Sequence, residues 1–238
     1  MQPATDVIAP ITPPELSSGL SPGRESPSNG EPPRIILHGI RWETYTRLLD
    51  DMEDSHAAHF AYDQGELEIM PLSERHEKPN RALALLVEIL AEELDIDLQR
   101  LGSTTFKRDD LQKGFEPDSC FYIQHERAIR GKEKIDLTVD PPPDLIIEID
   151  ISSHSLNKFP LYAALGILEV WRYVDRRVRI FSLANGQYVE VENSIAFPVL
   201  TNAIATRFLA ESAEAASTTW LRRVRQWVRE ARAAGERP

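Results

Sequence analysis

Pro142-Pro143-Asp144-Leu145-Ile146-Ile147-Glu148-Ile149-Asp150 is the stretch on which the fold turns. Two prolines keep a helix from entering it, and the run that follows is nearly continuous in apolar, β-branched residues, as in a strand covered on both faces. Such a strand needs a layer above and a layer below. Upstream, between Pro79 and Leu94, Leu83, Leu86, Val87, Leu90 and Leu94 recur at i, i+3, i+4, i+7 and i+11, an amphipathic helix suited to pack on a sheet. Downstream, Asn157 to Leu165 reads as a second helix, with Asn157 or Ser155 as N-cap and Gly166 as its stop.

Further strands flank these helices. Gly102 to Phe106 and Pro117 to Ile123 are candidates before the central strand, and Val170–Val174, Arg177–Leu183 and Gln187–Val191 after it, the last two joined through Asn185-Gly186. Nearer the N-terminus, Trp42 to Leu49 has helical spacing, and Phe60-Ala61-Tyr62 leads through Asp63-Gln64-Gly65 into Glu66 to Met70 as a hairpin. The fold class is therefore α/β, a mixed central sheet flanked by helices. Residues 1–33 hold sixteen Pro, Gly or Ser and no aromatic residue, too little apolar surface to offset the entropy of ordering, so a disordered tail precedes a domain over 34–210.

The C-terminus differs in charge. Ser217 to Pro238 carries six Arg against two Glu, a local +4, while the rest of the chain stands at −15. Trp220, Leu221, Val224, Trp227 and Val228 fit one stripe of an Arg-rich helix over 213–234, with Arg222, Arg225, Arg229 and Arg232 largely opposite. The helix docks by its tryptophan face with the arginines solvated, or sets those arginines on phosphates or an acidic surface; docking is the simpler expectation.

Overall, 238 residues carry 38 acidic against 27 basic side chains, a formal charge of −11, which argues against a classical basic nucleic-acid binder. A single cysteine, Cys120, excludes an internal disulfide and a multi-thiolate zinc site. No run approaches the ~18 apolar residues of a membrane span, and the N-terminus has no signal-peptide pattern, so a cytoplasmic protein with no membrane partner is expected. Phosphate-loop, serine-hydrolase and zincin motifs are missing, and His56 with His59 offers a helical turn without a third ligand.

What remains is carboxylates on strands: Glu116-Pro117-Asp118 opening one, and Asp144, Glu148 and Asp150 along another, with Glu148 and Asp150 on the same side. A carboxylate in an Ile-rich strand must be paired or metal-bound to offset desolvation. Converging acids make an oxygen-lined site that suits Mg²⁺ with retained waters and substrate phosphates, the arrangement of metal-assisted phosphodiester hydrolysis. Basic residues near this centre would touch substrate: Lys107, Arg108 and Lys113 just upstream of Asp118, and Arg127, Arg130, Lys132 and Lys134 between the acidic strands, although acids interleave with them.

The stretches Gly102–Phe106, Glu116–Ile123, Pro142–Ile149 and Leu161–Arg172 together resemble the Uma-type family assigned as restriction endonucleases, within the nuclease superfamily named for its Pro-Asp and Asp/Glu-x-Lys motif. The resemblance spans about residues 40 to 210 and implies a restriction-endonuclease-like core using Mg²⁺ or Mn²⁺ on DNA. It implies Asp118 and Glu148 as metal ligands with the main-chain carbonyl of Ile149 as a third. Where that motif has lysine this chain has Asp150, an added acidic ligand, and Lys158 at the start of the next helix is the implied substitute that handles the attacking water. His76, Glu77 and Glu88 are candidates for a further polar residue on the first core helix, His76 also for substrate contact. A homodimer would let two sites cut two strands. The competing expectation is a nuclease-like fold without catalysis, serving as a nucleic-acid or protein interaction module.

Overall fold

The computed structural model describes residues 34–52, 58–102, 104–151 and 156–235. The expected tail, His56 and Ser155 lie outside them. Strand β1 (Ile35–Leu37) leads into helix α1 (Trp42–Asp51), then the hairpin β2 (Ala58–Asp63) and β3 (Glu66–Pro71). Helix α2 (Glu74–Leu94) is followed by β4 (Gln99–Arg100), β5 (Phe106–Arg108), β6 (Lys113–Phe115) and β7 (Ser119–Tyr122), then the short α3 (Glu126–Ile129). Next come β8 (Leu145–Asp150), α4 (Phe159–Leu165), β9 (Glu169–Val174), β10 (Arg177–Ala184), β11 (Gln187–Val191), α5 (Asn202–Glu214) and α6 (Ser217–Gly235).

The strands divide between two sheets. One is antiparallel, in the order β1-β3-β2-β6-β5; the other is mixed, in the order β11-β10-β9-β8-β7-β4, with β8 parallel to β9 and the remaining pairs antiparallel. The expected mixed sheet is the second one, and β8 lies inside it, consistent with its apolar run. Alternation along β8 sorts its side chains. Leu145, Ile147 and Ile149 join a core with α2, α5 and α6, while Ile146 joins one with Leu161, Tyr162 and Leu165 of α4. Glu148, in phase with Ile146, therefore stands on the α4 side.

Several local readings change. Helix α2 begins at Glu74 rather than Pro79, and Pro79 lies within it; the acids Glu74 and Glu77 in its first turn suit the positive end of the helix dipole. Gly102, Thr104 and Thr105 lie outside any strand, and Ser103 lies outside the described residues; Phe106–Arg108 is a strand, paired to the unexpected β6. There Gly114 lacks the Cβ that would collide with the Tyr45 ring, which stacks on Tyr62 at 5.0 Å. Helix α4 starts at Phe159 after Lys158, without a side-chain cap, and Gly166 at φ 80° ends it. The C-terminal helix is two: α5 runs through Glu214, and α6 starts at Ser217.

Helix α6 docks by Trp220, Val224 and Val228, all buried, with the Trp220 indole donating to the Phe208 carbonyl at 2.8 Å. Its arginines also find an acidic surface, one within this chain: Arg229 grips Glu93 through two 2.7 Å bonds, and Arg225 reaches Glu92 at 2.8 Å.

Candidate active site

Strand β7 pairs antiparallel to β8 with Ser119 opposite Ile147. Asp118 directly precedes β7, and Glu148 follows Ile147 along β8. Pro117 cannot donate to a ladder, so Asp118 is the first residue after a forced break, and its side chain does the bonding instead. Asp118 Oδ2 accepts from the Ile149 amide at 2.7 Å, while Oδ1 lies 3.1 Å from His59 Nδ1 and 3.6 Å from His76 Nδ1. Its main-chain carbonyl accepts from the Asn80 amide group at 3.0 Å.

Glu148 is held from the α4 side. Lys158 Nζ donates to its Oε2 at 2.9 Å, and the Tyr162 hydroxyl to its Oε1 at 2.6 Å. One turn of α4 separates these two donors, so both face β8. A third acid from the other sheet completes the cluster. Glu68 of β3 is 1% exposed, accepts from the Leu156 amide at 2.6 Å, and faces Lys158 at 3.7 Å and Arg34 at 3.4 Å. Asp150 pairs with Arg172 and lies 3.8 Å from Arg34.

The carboxylates of Asp118, Glu148, Glu68 and Asp150 thus meet the cations Lys158, Arg34 and Arg172. Burial pushes the Asp118 carboxyl up, but the His59 hydrogen bond and the charges of His76, His59 and Lys158 outweigh it, so the group titrates below its ordinary range. Burial likewise pushes Lys158 down, and Glu148, Glu68 and Asp118 together hold it above its ordinary value. The lysine is therefore a cation at neutral pH. Desolvation, then the Glu148 charge, raise the Tyr162 phenol well above its usual range, so it remains a hydrogen-bond donor.

The structure brings Asp118, Glu148, Ile149, Lys158 and His76 together and places Asp150 beside them in its arginine pairs. It does not gather the other basic candidates there. Lys113 pairs with Asp63 at the end of the hairpin, and Arg108 is bound by both oxygens of Asp110. Lys107 lines a cleft with Lys132 and Lys134 that meets the site only at His59. Of the three helix candidates, Glu77 pairs with Arg81 and Glu88 with Arg100, leaving His76 as the one against Asp118. His59 is on strand β2 rather than on a helical turn. Asp144, at the opposite end of β8, accepts from the amides of Ile123 and His125 and from the His125 ring, a loop anchor remote in role from Glu148. Glu68 and His59 carry no sequence signal of their own, since each sits in an unremarkable hairpin position; only the long-range packing of β2 and β3 reveals them.

Among the described residues, no three His, Cys, Asp or Glu side chains form a cage able to hold a metal ion unaided. A hard cation that keeps its waters needs only one or two carboxylates plus substrate oxygens, and Asp118 with Glu148 supply that pair. Each of their oxygens also retains lone pairs beyond the bonds described. The donor set therefore fits Mg²⁺ or Mn²⁺ and does not fit a fully caged structural metal.

A family model described as "Uma2: Putative restriction endonuclease" matches residues 42–212. A crystal structure of a "putative nuclease belonging to DUF820" from Anabaena variabilis ATCC 29413 is similar at a TM-score of 0.47 and 14% identity, covering 71% of this chain and 99% of that one. No curated protein matches the sequence. Among the described residues, no helix is long and apolar enough to cross a membrane.

Proposed function

The chain belongs to the Uma2 restriction-endonuclease family, and from that membership we propose that it is a Mg²⁺-dependent nuclease that hydrolyses phosphodiester bonds in DNA. One observation carries the reading: the Asp118 carboxylate accepts from the Ile149 amide at 2.7 Å, next to Glu148, whose Oε2 accepts from the Lys158 ammonium at 2.9 Å. Asp118, Glu148 and the Ile149 carbonyl are the oxygens that would hold the ion. Bound, Mg²⁺ supplies charge neutralisation on the phosphodiester and acidifies water.

The chain's own residues do the rest. His59 and the Ile149 amide fix the Asp118 carboxylate, and Tyr162 with Lys158 fixes that of Glu148, so both acids are oriented before substrate arrives. Lys158, kept protonated by its acidic neighbours, cannot take a proton from water at neutral pH; it orients the nucleophile and stabilises charge developing on the phosphoryl oxygens. Its place just before α4 does for this site what a lysine at position 150 would do in the Asp/Glu-x-Lys motif.

Purified protein with Mg²⁺ or Mn²⁺ is expected to nick supercoiled plasmid, with cutting lost in Asp118→Asn and reduced at least 100-fold in Lys158→Met. Equal cutting by wild type and Asp118→Asn, or no cutting under either metal, would overturn the proposal. Retained DNA binding with no cutting would instead leave an interaction module on a nuclease fold.

A further inference from the structure

Substrate must be held as well as cut, and the basic residues picked out upstream of Asp118 are spent in ion pairs or set in an acidic cleft. That cleft, of about 680 Å³, is lined by three lysines against five carboxylates, Asp50, Asp109, Glu116, Glu133 and Asp136. A larger one, of about 830 Å³, has the opposite balance: Arg75, Lys78, Arg81 and Arg176 against Asp150 and Asp175. One wall is the first half of α2, where residues 75, 78, 82 and 85 recur on one face. The other wall holds Tyr173 and Ile151, with Arg176 at the tight β9–β10 turn and Trp220 of α6 at the floor.

Resting on the nuclease reading, we infer that this cleft is the track for the DNA backbone flanking the scissile phosphate, and that Lys78, Arg81 and Arg176 contact its phosphates. Three observations carry this. The sign of the charge is right for a polyanion, in a chain that is otherwise acidic. The cations are available: the side chains of Lys78 and Arg81 are each 79% exposed, and their pairs with Glu74 and Glu77 are exposed neighbours on one helix, easily exchanged for phosphate. Lastly, the cleft adjoins the site: Asp150 lies on its wall two residues beyond Glu148, and Arg81 borders both this cleft and the one that Asp118 lines. The acid at position 150, held by Arg172, then marks the boundary between holding and cutting.

The test is equilibrium binding of a fluorescein-labelled duplex to the full chain in EDTA, read by anisotropy from roughly 50 to 200 mM NaCl, with plasmid nicking in Mg²⁺ measured in parallel. Lys78→Ala/Arg81→Ala/Arg176→Ala is expected to weaken binding at least tenfold at the lowest salt. The slope of log affinity against log salt should become shallower by about 0.9 for each phosphate no longer neutralised. Arg47→Ala/Arg222→Ala/Arg223→Ala removes the same charge from exposed positions outside the cleft and should leave the slope unchanged. Equal weakening in both triple variants, or none in the first, overturns the track while leaving the nuclease reading intact. A wild-type protein that neither binds nor cuts duplex overturns both.

Discussion

Buried acids occur in two settings in this protein, and they are satisfied in opposite ways. Asp144 and Glu169, at the ends of β8 and β9 remote from the site, are held largely by the main chain. Glu169 accepts from the Ile195 and Ala196 amides at 2.7 and 2.9 Å and from the Trp171 indole at 2.5 Å. Asp118, Glu148 and Glu68 instead meet cations, imidazoles and a phenol, with one amide each for Asp118 and Glu68 and none for Glu148. Amide partners are fixed by the fold, so a carboxylate on them is a structural joint. Ammonium and imidazole partners can exchange for an ion or a phosphate, so a carboxylate on them can work. Donor identity does not mark a working site by itself, since the buried Glu126 also pairs with a guanidinium, that of Arg130, and Asp144 also takes the His125 ring.

This contrast can be broken by substitution. The largest expected effect is at Glu169: Glu169→Ala leaves two amides and an indole unpaired in the core and should lower unfolding stability by about 3–5 kcal/mol in urea titration, while the folded fraction keeps its cutting rate. Glu148→Gln should do the reverse, reducing cutting at least 100-fold, about 2.7 kcal/mol, with a smaller stability change because Lys158 keeps Glu68 as a partner. If Glu148→Gln unfolds the protein and Glu169→Ala does not, the division of roles is wrong.

Protonation sharpens the comparison. Because its folded carboxyl titrates below the usual range, Asp118 contributes stability that is present above about pH 4 and lost as pH falls through the lower folded value. Lys158 has the opposite sign: its contribution is present below about pH 10 and lost as pH rises through its raised folded value. The stability difference between wild type and Asp118→Asn should therefore shrink as pH falls below about 4. The smallest effect belongs to the exposed ladder of α6 on α2, where Arg229→Ala should cost the least of these substitutions and the cost should fade in added salt. The helix is held by Trp220 instead.

The strength of β8, the faces of α2 and the hairpins are legible in the sequence because each is a local pattern: a period of two or of 3.6, a proline, a turn at Asn185-Gly186. The site is legible in part. Asp118, Glu148 and Lys158 lie within one continuous segment, and the pleat of β8 already fixes which side Glu148 takes. Glu68, Arg34 and His59 are not legible, because they reach the cluster from the first sheet through packing no local period encodes. The basic residues mislead for a related reason. Proximity in sequence to Asp118 suggests that Lys113 and Arg108 lie near the site, while the turn of the sheet carries them to partners of their own. The early start of α2 also hides Arg75 and Lys78, which fall before Pro79.

The bond from the Leu156 amide to Glu68 joins residues 88 apart in the chain. Together with the reach of His59 to Asp118, across 59 residues, it closes the site only after both sheets have formed and met. Contacts of such long sequence separation carry the full entropic cost of loop closure and are made late. A nascent or partly unfolded chain, even one with β7, β8 and α4 in place, would lack two of the groups that position its acids. The site is thereby left incomplete until folding is finished.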